Sequence, residues 1–170
     1  MLTQAEVAIQ LRRLRSTGFH ARLSQQATAH NLPVPFFFAI ASRETNCVNM
    51  LGNKQHDGEF RGVGIVQIDI QHPIALEARN DGSWQTNPDP LIAFGAQLLA
   101  QNLQQAEQAF PRLDLQSLLK IAASGYNCGV TRAIAAQREG DCDKHTTSHD
   151  YGSDVISRMT NFEQLIAEGA

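Results

Sequence analysis

Pro33-Val34-Pro35-Phe36-Phe37-Phe38-Ala39-Ile40-Ala41, followed at once by Ser42-Arg43-Glu44-Thr45-Asn46, is the most apolar stretch of the chain. Two prolines suit the first turn of a helix, where their missing N–H groups cost nothing, and residues 34–41 are apolar around most of the helical circumference. Such a helix has no polar face to give to water. It predicts a central helix enclosed by others, ending in the polar Ser42–Asn46 segment.

The flanking sequence supplies that shell. Upstream, Thr3-x-x-Glu6 has the pattern of a capping box opening a helix whose Val7, Leu11 and Leu14 form one stripe, and Thr17-Gly18 breaks it. Phe19, Leu23 and Ala27 continue at helical spacing before Asn31-Leu32-Pro33. Between residues 49 and 71 the pattern changes. Gly52, Gly58, Gly62 and Gly64 punctuate short pieces, and the β-branched Ile65, Val66 and Ile68 favour extended structure, which predicts a small irregular β-hairpin. Helix resumes at Asn87-Pro88-Asp89-Pro90, with Asp89 expected as N-cap and Pro90 as the first helical residue. Beyond it Ile92, Ala96, Leu99, Leu103, Ala106 and Phe110 share one face, and Gln97, Gln101, Gln104 and Gln108 share another. Two shorter helices are expected over 115–123 and 130–137. A last one carries Tyr151, Val155, Met159, Phe162 and Leu165 at helical spacing. No internal repeat or linker interrupts the chain. The fold class expected is mainly α, as one helical domain with a central buried helix and a small β flap.

Composition agrees and excludes other classes. The chain has 170 residues, 42% of them hydrophobic and 18% charged, with 12 Gly and 6 Pro, as in a compact domain able to bury about two-thirds of its unfolded surface. Its 14 Lys and Arg against 17 Asp and Glu leave a net charge of −3, and no basic run exceeds Arg12-Arg13, so no nucleic-acid partner is expected. No apolar run approaches the roughly 18 residues of a membrane span, so no membrane insertion is expected. Glu6 sits where a secretory signal would place basic and then apolar residues, so no signal peptide is visible. Cys47, Cys128 and Cys142 match neither a CxxC redox motif nor a zinc ligand set, and a bridge between Cys128 and Cys142 is left open. Asp141, Asp143, His145, His149 and Asp150 crowd one polar segment without a ligand-spacing motif, so a solvated loop is expected there, with no metal and no cofactor.

Glu44 is the first candidate for chemistry, because it ends an intensely apolar helix just ahead of the glycine-rich flap. Burial there would disfavour the anion and keep a proton available for general-acid work. Asp57 and Asp69 lie within the flap, and a protonated Glu facing ionised Asp is the equipment of a glycosidase.

Four ordered motifs add a resemblance. Ala41-Ser42-Arg43-Glu44-Thr45, Gly62-Val63-Gly64-Ile65-Val66-Gln67-Ile68-Asp69, Ser124-Gly125-Tyr126-Asn127-Cys128-Gly129, and His149-Asp150-Tyr151 with Ser153-Asp154-Val155 resemble the goose-type (G-type) lysozymes. The likeness spans residues 30–162, with 1–29 as an N-terminal helical extension of the single catalytic domain 1–170. It is similar more broadly to the soluble lytic transglycosylases. The resemblance implies a lysozyme-like α+β fold, with the flap beside an active-site cleft. It also implies an inverting N-acetylmuramidase, bacteriolytic and antimicrobial, that cuts the β-1,4 bond between N-acetylmuramic acid and N-acetylglucosamine in peptidoglycan glycan strands. Glu44 would be the general acid, and Asp57 and Asp69 would position water across a carboxyl separation of roughly 6.5 to 9.5 Å. Asp57 lies in an interval one residue longer than the family's, so Glu59 competes for its place. Asp69 stands where transglycosylases have a non-acidic residue and favours hydrolysis. Tyr126, Asn127, His72 and Tyr151 would bind the saccharide, and Trp84 is left as either a sugar platform or a core plug. A monomer is expected, with a lysozyme inhibitor protein as a candidate partner. The alternatives are a transglycosylase that leaves 1,6-anhydro ends and a domain that only binds glycan.

Overall fold

The computed structural model describes residues 2–54, 56 and 58–169. Two helices lead in, α1 (Gln4–Ser16) and α2 (Phe19–Ala29), and the central helix follows as α3 (Val34–Thr45). The hairpin strands β1 (Gly62–Val63) and β2 (Ile68–Asp69) come next, then α4 (Pro73–Asp81), α5 (Ser83–Thr86), α6 (Asp89–Ala109), α7 (Leu115–Cys128), α8 (Val130–Arg138) and α9 (Tyr151–Ala167). No helix among the described residues is long and apolar enough to cross a membrane.

The apolar run does what its composition predicts. Residues 36–42 of α3 are buried without interruption, enclosed mainly by α9 on one side and α2 on the other. Phe38 anchors both contacts, packing edge-on against Phe162 of α9 at 5.7 Å and against His20 of α2 at 5.0 Å between ring centroids. Each buried Phe contributes about 2–3 kcal/mol of transfer free energy, so α3 is the element the rest must be built around. The capping box is present, with Thr3 and Glu6 exchanging side-chain to backbone bonds of 3.3 and 2.8 Å. The apolar stripe of α6 is buried from Ile92 to Ala106, and its glutamines face solvent.

Two expectations are corrected, and one segment without an expectation proves helical. Ile65 and Val66 do not extend: β1 and β2 are two residues each, joined by a turn in which Gly64 and Gln67 take φ of 82° and 52°. A strand would turn one of the two side chains outward, whereas the turn buries both in the core. Helix α6 begins one residue early, at Asp89, whose carboxylate reaches Arg22 of α2 at 2.5 Å instead of capping. Residues 73–86, unassigned from sequence, form α4 and the one-turn α5. Their signal was Pro73 at the first helical position and Gly82, at φ 77°, between them.

Candidate active site

Glu44 occupies the last turn of α3, where the helix leaves the core and its carboxyl meets a cavity of about 600 Å³. The opposing wall is the hairpin, which brings Gly62, Gln67 and Asp69 to the same cavity, with Gly52, Asn53 and Arg61 from its approach and Asn127 and Thr147 from the far rim. Register fixes Asp69, because β2 pairs antiparallel to β1 with Gly62 opposite Asp69. Its Oδ1 accepts the N–H of Gln71 at 2.8 Å, which orients the carboxylate. Asp57 lies outside the described residues. The carboxylate of Glu59, the alternative for its place, pairs with Arg79 of α4.

Burial raises the Glu44 carboxyl from 4.5 to about 7, and the Tyr151 hydroxyl and the Arg43 charge offset part of that rise. The Tyr151 hydroxyl donates to Glu44 Oε1. Only 2% of Tyr151 is exposed, so its ring belongs to the core and its hydroxyl to the acid rather than to the open cavity. Tyr126 donates to the carbonyl of Val66 at 2.8 Å, tying α7 to the hairpin turn. Burial, then the Glu44 charge, pushes both phenols well above 10, so both remain donors. Tyr126 and His72 line a smaller recess of about 80 Å³ that adjoins the main cavity through Gln67 and Asp69, and His72 packs on Phe94 at 4.9 Å. Asn127 holds the far rim, accepting the Thr147 N–H at 2.8 Å and donating to its hydroxyl at 3.3 Å. Trp84 packs partly buried against the core and is not among the cavity's lining residues.

Two supports of Glu44 come from distant sequence. Arg43 spans from α3 to α9, bonding Asp150 and Asp154 at 2.9 Å each and lying 5.5 Å from the Tyr151 ring. Arg158 shares Asp154 at 2.7 Å and donates to the carbonyl and hydroxyl of Ser42. Most of the loop is solvated as expected, with Asp141, His145 and His149 exposed, but Asp143 is not: it is 1% exposed and accepts from the N–H groups of Gly152 and Ser153 at the start of α9. It also takes the hydroxyls of Ser124, Thr146 and Ser153. Burial alone would raise its pKa, but these hydrogen bonds outweigh it and hold Asp143 below the ordinary aspartate value. All three cysteines are free thiols, so Cys128 and Cys142 are not bridged.

Gln67, Arg61 and Thr147 are cavity residues that sequence reasoning missed. Gln67 lies within the Gly62–Asp69 motif. Its amide donates to the carbonyls of Met50 and Gly64 at 3.0 and 2.7 Å, and a Cβ at Gly52 or Gly62 would overlap its Oε1. The glycines around it therefore make room for this side chain.

The profile of the family described as Lysozyme g matches residues 11–165. Lysozyme g of Gallus gallus is 30% identical over 125 residues, covering 74% of this chain and 54% of the relative. Lysozyme G of Dromaius novaehollandiae is 28% identical over 125 residues, covering 74% and 56%. Lysozyme g of Takifugu rubripes is 28% identical over 120 residues, covering 70% and 60%. The chain thus spans a little over half the length of these curated relatives. A helical domain built on an enclosed helix that ends in a half-buried carboxyl, matched over 155 of its 170 residues, belongs to the lysozyme g family.

Proposed function

We propose that this chain is a peptidoglycan N-acetylmuramidase that hydrolyses the β-1,4 bond between N-acetylmuramic acid and N-acetylglucosamine with inversion. The observation that carries the reading is the pairing of a carboxyl held at about 7 by burial, Glu44, with an exposed-side carboxylate, Asp69, across one cavity. In this reading Glu44 gives its proton to the glycosidic oxygen as the C1–O bond breaks. Water adds to C1 from the opposite face and its proton passes to Asp69, leaving a reducing muramic acid end and a free 4-hydroxyl. Asp57 is proposed as a second water-positioning carboxylate. Asn127, with Tyr126 and His72 in the adjoining recess, is proposed to contact the N-acetyl groups and hydroxyls of the strand, as amide, phenol and imidazole groups can both donate and accept.

Mass spectrometry of digested peptidoglycan tests the reaction. Reducing muramic acid ends are expected. Products lighter by one water would mean attack by the muramyl 6-hydroxyl and a transglycosylase, and intact strands would mean a module that only binds. Asp69→Asn is expected to lower kcat about a hundredfold, within the usual range for a lost general base, with KM little changed.

Tyr151 is proposed to tune the acid. Its hydroxyl favours the Glu44 anion, so Tyr151→Phe should raise the Glu44 pKa above about 7 and carry the alkaline limb of the kcat/KM profile upward. An unmoved limb would show that the hydrogen bond does not set the proton affinity.

A further inference from the structure

The chain leaves α3 in an unusual way. Asn46 and Cys47, neither of them glycine, take consecutive left-handed conformations with φ of 52° and 61°. Their N–H groups turn back to the carbonyls of Ser42 at 3.0 Å and Ala41 at 3.1 Å. Asn suits the left-handed region at a helix end, but Cys resists it, so contacts from outside the turn help to hold Cys47 there. The holding contacts all come from α1. Gln10 Nε2 donates to Asn46 Oδ1 at 3.3 Å, the Cys47 thiol donates to Gln10 Oε1 at 3.6 Å, and Arg13 Nη1 donates to the Asn46 carbonyl at 2.6 Å.

Gln10 is otherwise hard to explain. It is 5% exposed on the stripe of α1 that buries Val7, Leu11 and Leu14, where an apolar residue would serve packing better. Its amide is satisfied at both ends by the turn. Cys47 is buried, which pushes its thiol up to about 12 and keeps it a neutral donor. Glu44 lies two residues before this turn, and Thr45 between them is fixed by its hydroxyl to Ala41 and Ile65 carbonyls.

We propose that α1 is a positioning element for the general acid, with Gln10 and Arg13 acting as positioning residues through the left-handed Asn46–Cys47 turn. The proposal rests on the reading of Glu44 as the acid and adds what keeps it buried. A last turn of α3 free to unwind would carry the carboxyl toward water and lose the burial that keeps it protonated. Gln10 itself precedes the segment that the family profile matches, which begins at residue 11.

The test compares wild type, the double variant Gln10→Ala/Arg13→Met, Gln10→Leu, and Arg12→Ala as an exposed neighbour on the same helix. Carbon-13 NMR titration of the Glu44 carboxyl is read alongside kcat, KM and thermal unfolding. The double variant is expected to lower the Glu44 pKa by about one pH unit, with the alkaline limb following, and kcat about tenfold while KM stays within twofold. Gln10→Leu keeps the packing volume and should show the same direction; Arg12→Ala should match wild type. A folded double variant with an unmoved Glu44 titration would overturn the proposal. So would global unfolding of Gln10→Leu, which would make α1 merely structural. A wild type that cleaves no peptidoglycan would sink the muramidase reading alone, since the titration still reports on positioning.

Discussion

Glu44→Gln is expected to lower kcat on peptidoglycan about a thousandfold, the middle of the range for losing a positioned general acid, with little change in KM. Turbidity clearance of a cell-wall suspension measures it. Equal clearance by both proteins would remove Glu44 from the chemistry. The same variant should be more stable than wild type in alkali. The folded-state pKa of about 7 lies above the ordinary 4.5, so the folded chain binds the Glu44 proton more tightly than the unfolded chain does. Wild-type stability is therefore full below 4.5, declines as pH rises toward 7, and levels off above it. Gln carries no such cost, and the difference at pH 8 is about 3 kcal/mol at most, or roughly 5–10 °C in melting temperature for a chain of this size. At pH 4 the two proteins should melt together. A variant less stable at pH 8 would mean that the ionised carboxylate is well accommodated.

Asp143→Ala is expected to be the most destabilising change outside the apolar core. It strands two N–H groups at the start of α9 and the Ser153 hydroxyl, all now bonded to one buried carboxylate at 2.7 to 2.9 Å, and it leaves the Ser124 and Thr146 hydroxyls with only their carbonyl acceptors. It also removes a negative charge from the helix's positive end. Leaving such donors unpaired costs about 3–5 kcal/mol, so urea or thermal unfolding should shift by roughly 10 °C. Asp143→Asn keeps part of the acceptor capacity and should fall between. Because the folded pKa of Asp143 is depressed, its contribution is present above the ordinary 3.8 and is lost as pH falls through the folded value. The loss should reach the site too. Tyr151, the first residue of α9, carries the hydroxyl that meets Glu44. An Asp143→Ala protein as stable as wild type would show that the cluster is ornament to the fold.

Much of the fold was legible because it is local. The Phe36–Ala41 run cannot lie on a surface, Thr3 and Glu6 stand three residues apart as a capping box requires, and Ile92 to Ala106 repeat at the helical period. Glu44 was legible as a candidate for the same reason: an acid at the end of an all-apolar helix must sit where the core opens. The hairpin was harder. Ile65 and Val66 have strand-like side chains, yet burying both in the core demanded a turn.

The site was legible only in part, because proximity across the chain leaves no local trace. Tyr151 meets Glu44 across 107 residues, Arg158 meets Ser42 across 116, and Gln10 meets Asn46 across 36. Asp143 read as a solvated loop residue because its neighbours are polar, and it gained its N–H and hydroxyl donors only when α7 and α9 closed around it. The sequence by itself determined where helices start, which faces they bury and which carboxyl stands at the core's edge, since these follow from the 3.6-residue period and the hydrophobic effect. Tertiary structure alone decided what surrounds that carboxyl, and thus its proton affinity, because desolvation and hydrogen bonding depend on which distant side chains the packed helices bring within about 3 Å.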